Sequence, residues 1–239
     1  MKQLKLLIHE LENKVPSPLL IFYNENEELE GNDLQKILDF LNNISSEECS
    51  LILSGDGGDF DSAITLGVYL KDRFGSKLET YIPKQASSAF GYIVLLSNRA
   101  HCCTDEPLSQ IDLIFNKGGE RYRAKRELKN KNQAIQEDAK FMWRALGEVI
   151  ENILSRADSL YPHKVTNSVI SKVMNLCMRD DKHQKPIRLS KLKDLKFNID
   201  TVDKDIGKIL TKLNNEVQTM LKKEDSRFMI ASNNFILRY

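Results

Sequence analysis

Short apolar runs alternate with helix-forming segments through the first half of the chain, and this alternation constrains the fold more than any other feature. The segments "DLQKILDFLNNI" (33–44) and "SSAFGYIVLLSN" (87–98) place apolar residues at helical spacing, and a third helix is predicted after the turn "GDGGD". The resulting βαβαβαβ order predicts an α/β fold with a mostly parallel, buried sheet. The strand-like runs are "PLLIFYN" (18–24), "CSLILSG" (49–55), "LETYIP" (78–83) and "AHCCT" (100–104).

A change in composition marks the second half of the chain. After the basic run "KGGERYRAKRELKNKN", strand signals disappear and apolar residues recur at helical intervals across 130–158. The segment "RFMIASNNFILRY" is predicted to form a short hairpin around Asn233 and Asn234. We therefore expect an α/β core over residues 1–120 and a helical region over 121–239 that completes the fold. Further helices are predicted at 166–178, 190–196 and 204–222.

Composition argues against several classes of partner. The chain has 239 residues, of which 41% are hydrophobic, as a packed core requires, and its net charge of +1 favours neither nucleic acid nor an anionic membrane. The apolar runs are shorter than the roughly 18 to 20 residues of a membrane span, and the first residues become charged too soon for a secretory signal. We therefore expect a cytoplasmic protein whose four cysteines, which lack metal-ligand spacing, are reduced thiols.

The glycine-rich turn "LILSGDGGDFDSA" joins a predicted buried strand to a predicted helix. Gly55, Gly57 and Gly58 allow positive φ angles and expose backbone N–H groups that can bind a phosphate or an oxyanion. A phosphate-binding P-loop is not expected, because the Gly-Lys-Ser/Thr ending is missing and the aspartates of the turn would repel polyphosphate. A purely structural turn remains the alternative.

Two adjacent serines stand at the next predicted strand-to-helix turn, "PKQASSA". Ser87 and Ser88 can cap the helix that follows by accepting hydrogen bonds from its first N–H groups. A nucleophilic serine would instead need a base and donors for the oxyanion. Because successive turns of a parallel sheet meet at its carboxyl edge, the glycine turn can supply such donors. The residues alone leave both roles open.

The order of these motifs resembles that of a known family, the serine dehydrogenase proteinase group of the Clp protease/crotonase superfamily, which is also related to signal peptide peptidase A. Members of that group show a Pro-Gly-Gly-Asp turn, a Pro-Lys strand end, an Ala-x-Ser-Ala helix start and a loop ending Leu-Gly-Pro-Ile-Asp. This chain has "GDGGD", "PKQASSA" and "PLSQID" in the same order. The similarity covers about residues 18–115, and "KHQKPIRLSKLKDLKFNI" (182–199) is similar to a later His-x-x-Pro-Ile segment.

The resemblance implies a Clp/crotonase-like fold and a serine nucleophile. Carried over by position, the nucleophile is Ser88, directly before Ala89. The oxyanion donors would be the backbone N–H groups of Gly58 and Ala89, which leaves Ser87 a capping or supporting role.

Three departures from the family pattern concern the same site. Asp56 replaces the proline of the glycine turn and puts a carboxylate beside the proposed oxyanion site. Ser109 and Gln110 replace Gly-Pro in the later loop. Clp proteases have a histidine just before a comparable loop, whereas this chain has Asp105 and Glu106, so their usual triad is absent.

The resemblance leaves two residues as possible general bases. His183 falls in the segment where Clp proteases contribute their acidic triad member, and its imidazole could approach Ser88. Lys84 is the alternative, by analogy with the serine-lysine pair of signal peptide peptidase A, and it would need burial to lose its proton. The remaining histidines are interpreted as structural or exposed: His9, His101 and His163.

These observations lead to a soluble serine hydrolase as the first hypothesis, with peptide cleavage as its reaction and a peptide or protein as its substrate. Such acyl transfer needs no metal or other cofactor. The first alternative is a catalytically inactive member of the same fold that binds a peptide or a partner protein, and the second is acyl-CoA chemistry, for which no further feature of the sequence speaks. The apolar stripe of the helix predicted at 130–158 suggests a homo-oligomer.

Overall fold

A computed structural model describes residues 2–15, 19–24, 31–111, 114–156, 158–177, 186–224, 228–232 and 235–238 of the chain. His183, the proposed base, lies outside these described residues, as do Asn233 and Asn234 of the predicted hairpin turn.

The described residues form helices and strands that follow the predicted order through the first half, with small shifts at their ends. None of the helices in these ranges combines the length and the hydropathy that crossing a bilayer requires. The helices are α1 (Lys2–Glu12), α2 (Gly31–Asn42), α3 (Phe60–Phe74), α4 (Phe90–Leu96), α5 (Ala124–Glu127), α6 (Gln133–Leu154), α7 (Asn167–Cys177), α8 (Leu189–Asp194) and α9 (Lys204–Glu224). The strands are β1 (Leu19–Asn24), β2 (Cys49–Ser54), β3 (Leu78–Ile82), β4 (Arg99–Cys102), β5 (Leu108–Ser109), β6 (Ile114–Lys117), β7 (Glu120–Arg123), β8 (Pro186–Ile187), β9 (Ile199–Thr201), β10 (Phe228–Ser232) and β11 (Phe235–Arg238).

The main sheet has seven strands in the order β11-β10-β1-β2-β3-β4-β9. Strands β1 to β4 run parallel to one another, as the βαβ order predicts. Strand β9 pairs in parallel with β4, whereas β10 pairs antiparallel with both β1 and β11. The predicted α/β fold with a mostly parallel sheet is therefore confirmed.

Helices cover both faces of the sheet, which explains why its strands read as continuous apolar runs. In β2, Leu51 and Leu53 belong to a large core that also contains residues of α2, α3, α4 and α6. Ile52 points to the other face and joins a second core formed with α1 and α9. All six residues of β2 are buried as a result.

The second half of the chain contributes more to the sheet than its helical pattern predicts. Strand β9 extends the parallel sheet, with Ile199 paired to Ala100. Its three residues are too short to show a strand period, so the sequence contains no signal for it. Strands from both halves of the chain thus complete one sheet.

A smaller β-structure lies at the carboxyl edge of β2 and β3. Gly55, just after β2, forms a bridge with Ala86, and Ala86 forms a bridge with Leu108 of β5. Strand β5 pairs antiparallel with β8, where Leu108 faces Ile187. These pairings hold the two predicted functional turns and the later loop side by side.

Candidate active site

The two turns singled out in the sequence meet at the carboxyl edge of the sheet. The first connects β2 to α3, and the second connects β3 to α4. A Cβ atom on Gly57 would lie 2.6 Å from the carbonyl oxygen of Ser87 and 3.0 Å from the nitrogen of Ala89. No side chain fits at such distances, so glycine allows the first turn to touch the backbone of the second.

The first turn caps the helix that follows it. Asp59 caps α3, because its Oδ2 accepts hydrogen bonds from the backbone nitrogen and the hydroxyl of Ser62, each at 2.8 Å. Gly57 has φ +94°, a conformation that glycine adopts without strain. Asp56 is exposed and Gly58 is half-buried. The exposed Asp56 thus stands two positions before Gly58, one of the proposed oxyanion donors.

The second turn holds Ser88 in an unfavourable backbone conformation. Its φ is +50°, in the left-handed region, where among the described non-glycine residues only Lys196 accompanies it. The residue is 8% exposed. A non-glycine residue in this region costs about 1 to 3 kcal/mol and persists only where its surroundings impose it. Such strain is concentrated at functional sites, which makes Ser88 the leading candidate in the structure as well as in the sequence.

The three consecutive backbone N–H groups of this turn differ in their hydrogen bonding. The N–H of Ser87 donates to the carbonyl oxygen of Gly55 at 2.9 Å. The N–H of Ser88 donates to the hydroxyl of Ser109 at 3.1 Å. Within the described residues, the N–H of Ala89 makes no hydrogen bond, although Ala89 is only 4% exposed. Among these three N–H groups, that of Ala89 is thus the one without a protein acceptor in the part of the chain that the structure describes, and it lies beside Gly57.

Ser87 does not cap the helix, which leaves support as the other of its two predicted roles. Helix α4 begins at Phe90, and its N-cap position, Ala89, has no side-chain capping bond. The hydroxyl of Ser87 instead donates to Oε1 of Gln85 at 3.0 Å. Gln85 in turn donates from Nε2 to the carbonyl oxygen of Glu106 at 3.3 Å. Ser87 thus supports the contact between the turn and the later loop.

Lys84, one of the two proposed bases, is exposed. Its carbonyl oxygen accepts a hydrogen bond from the hydroxyl of Thr104 at 2.9 Å, which fixes the backbone and leaves the side chain in solvent. A lysine acts as a base only where burial removes its proton. The structure therefore gives no support to a serine-lysine pair.

His183 lies in the segment 178–185, outside the described residues, but the chain on its carboxyl side is described. Pro186, the first residue of β8, pairs with Ser109. Ser109 is the residue whose hydroxyl accepts the Ser88 N–H. The first described residue after this segment therefore pairs with the residue that contacts Ser88.

The other three histidines are accounted for elsewhere. His9 and His163 are exposed, and the ring of His163 contacts that of Tyr161. His101 lies in β4, where its Nε2 is 3.2 Å from a carboxylate oxygen of Glu79 and its ring stacks on Tyr81. Burial lowers the pKa of His101, and the Glu79 carboxylate opposes that shift. This environment matches the structural role expected for His101.

A cavity of about 630 Å³ is lined by the loop that contains Glu106, whose carbonyl oxygen accepts a hydrogen bond from Gln85. Asp105 and Glu106, which stand where Clp proteases have their histidine, line this cavity together with Arg188. Arg188 Nε lies 3.9 Å from Oε1 of Glu106. In the described part of the chain, no three His, Cys, Asp or Glu side chains are arranged to hold a metal ion.

The sequence was compared with models of protein families and with curated proteins. No model of a protein family matches the chain, and no curated protein matches it. The similarity to the serine dehydrogenase proteinase group therefore depends on the ordered motifs alone.

Proposed function

We propose that this chain is a Clp/crotonase-like serine hydrolase that cleaves peptides, with Ser88 as its nucleophile. The single observation that carries the proposal is the Ala89 N–H, which lies beside Gly57 directly after the strained serine and makes no hydrogen bond among the described residues. A serine followed by an open amide, with a glycine turn against both, is what a backbone oxyanion site requires.

The chemistry follows from these groups. The Ser88 hydroxyl attacks the substrate carbonyl carbon while its proton passes to a base, and the negative charge moves to the carbonyl oxygen. The N–H groups of Ala89 and Gly58 would then donate to that oxygen. The base returns the proton to the leaving amine, and a water molecule releases the acyl group from Ser88 by the reverse sequence.

His183 is the proposed base. The pairing of Pro186 with Ser109 supports this assignment. Pro186 is the first described residue after His183, and Ser109 is the residue that contacts Ser88. Lys84 is exposed and is the weaker candidate.

The test measures hydrolysis of fluorescent casein and of p-nitrophenyl acetate by the purified full chain. Ser88→Ala should abolish turnover, whereas Ser87→Ala should retain most of it. His183→Ala should reduce turnover by about 10² to 10⁴ with little change in KM. The rate of the unsubstituted protein should rise with pH through the histidine range, roughly 6 to 7.

Lys84→Met is the control for the choice of base. A large loss in Lys84→Met with little effect in His183→Ala would replace the proposed base with the lysine. If neither variant changes the turnover of a folded protein, the assignment of the base fails.

A catalytically inactive peptide-binding protein is the second candidate. The exposed carboxylate of Asp56 in the glycine turn favours it, because a negative charge near the donors opposes an oxyanion. In a working hydrolase, Asp56→Asn should therefore raise turnover. A folded protein that hydrolyses neither substrate, with or without this change, would favour the binding function.

A further inference from the structure

Resting on the proposed function of Ser88, we infer that Ser109 is a positioning residue that holds the nucleophile in its left-handed conformation. The sequence marks Ser109 only as a departure from the family pattern. In the structure its hydroxyl accepts the backbone N–H of Ser88 at 3.1 Å, across 21 positions of sequence.

The Ser109 side chain is fully buried and its backbone is fixed on two sides. The residue is 0% exposed. It follows Leu108, which bridges to Ala86 of the serine turn, and it pairs with Pro186 of β8. The N–H of Ala86 also donates to the carbonyl oxygen of Pro107 at 2.8 Å. The hydroxyl is therefore held in place by the small β-structure rather than by its own rotamer alone.

The bond from Ser88 to Ser109 selects between two orientations of one peptide group. The peptide that joins Ser87 to Ser88 presents its oxygen to the N–H of Phe90 at 3.1 Å and its nitrogen to the Ser109 hydroxyl. Rotation of φ at Ser88 toward the ordinary right-handed region would disturb these bonds. A buried N–H without a partner is strongly disfavoured, so the bond opposes that relaxation.

The same bond gives the N–H groups of Ser88 and Ala89 different roles. Since the Ser88 N–H is used by Ser109, it does not compete with the Ala89 N–H for an oxyanion. Ser109 accepts this bond with its hydroxyl oxygen, which a glycine or alanine at position 109 could not do. The departure from the family pattern thus supplies a contact instead of removing one.

The experiment compares Ser109→Ala, Ser109→Gly and Ser109→Thr with the unsubstituted chain. Hydrogen exchange of the Ser88 amide, followed by NMR, reports the bond itself. The rate of covalent labelling by a fluorophosphonate reports the reactivity of Ser88. Ser97→Ala is the matched control, because Ser97 is also 0% exposed and its hydroxyl donates to the carbonyl oxygen of Val94 at the opposite end of α4.

We expect Ser109→Ala and Ser109→Gly to accelerate exchange at Ser88 and to slow labelling, each on the order of tenfold. Ser109→Thr, which keeps the hydroxyl, should restore both rates. Ser97→Ala should lower thermal stability without a selective effect at Ser88. If a Ser109 variant fails to fold, Ser109→Thr and the remaining variant still report the exchange rate.

Two results would overturn the inference. One is unchanged exchange at Ser88 in a folded Ser109→Ala variant, and the other is faster exchange with unchanged labelling of a reactive protein. A lack of labelling in the unsubstituted chain would instead reject the hydrolase proposal, and the exchange rate alone would then decide whether Ser109 holds the Ser88 conformation.

Discussion

The two strand-to-helix turns of this molecule both contain positive φ angles, but they differ in which residues adopt them and in how the following helix is capped. In the first, between β2 and α3, glycines take the positive φ angles and Asp59 caps the helix. In the second, between β3 and α4, the positive φ falls on Ser88 and the helix has no side-chain cap. The first turn supplies the cap of its own helix, whereas Ser88 in the second turn is held by contacts with Gly57 and Ser109.

This difference bears on which of the two turns carries the proposed chemistry. A turn that needs only to connect two elements can use glycine at its strained positions and a polar cap at its helix. Strain on a serine in a buried turn has no such local benefit, and it is retained where the side chain must be presented in one orientation. We therefore propose that the first turn supports the site and that the second carries its chemistry.

The largest expected effect comes from removing the contact between the turns. Gly57→Ala would place Cβ 2.6 Å from the carbonyl oxygen of Ser87 in a backbone conformation with φ +94°. Strain and overlap together should lower the free energy of unfolding by about 3 kcal/mol or more, measured by urea denaturation. Gly118→Ala is the control, since it has φ +61° but nothing within 4 Å, and it should cost about 1 kcal/mol. Equal losses would show that the turns do not depend on each other.

Ser88→Gly should have opposite effects on stability and on activity. Glycine adopts φ +50° without strain, so the free energy of unfolding should stay constant or rise by about 1 kcal/mol after the greater entropy of an unfolded glycine is included. Hydrolysis should be lost at the same time. A drop in stability of more than about 1 kcal/mol, measured by urea denaturation, would mean that Ser88 is not strained.

Removal of single side chains should distinguish the capped turn from the uncapped one. Asp59→Ala removes the cap of α3 and should cost about 1 kcal/mol. Ser87→Ala removes only the bond to Gln85 and should cost about 0.5 kcal/mol. Urea denaturation of both variants under one set of conditions makes the comparison. A larger loss in Ser87→Ala would contradict the interpretation of both turns.

The smallest effect concerns His101, a partly buried polar side chain with partners, in contrast to the strained Ser88. Because burial lowers its folded pKa below the unfolded value of about 6.5, the unfolded state binds more protons in this range. The free energy of unfolding should therefore fall as the pH decreases from about 6.5 toward the folded pKa. His101→Gln should reduce that slope in denaturation curves at pH 7.5 and pH 5.5. An unchanged slope would show that His101 makes no contribution.

Much of the fold follows from the sequence, because long periodic segments such as α6 and buried strands such as β2 are specified locally. The meeting of the two turns also follows, since parallel strands bring their carboxyl ends to one edge. Of the two roles predicted for Ser87, the capping role is absent because capping rules assume that the helix begins directly after the serine, whereas α4 begins at Phe90.

The contact between Ser88 and Ser109 could not be predicted. It depends on the bridges that join Gly55, Ala86 and Leu108, and no local pattern specifies pairs of this kind. The left-handed φ of Ser88 follows from the same tertiary contacts, because serine has no intrinsic preference for that region.

The most direct test of the central claim is the position at which a fluorophosphonate attaches to the folded chain, determined by peptide mapping and mass spectrometry. We predict one adduct, on the hydroxyl of Ser88, that disappears in Ser88→Ala and remains in Ser87→Ala. An adduct on Ser87, labelling that persists in Ser88→Ala, or no adduct on the folded protein would contradict it.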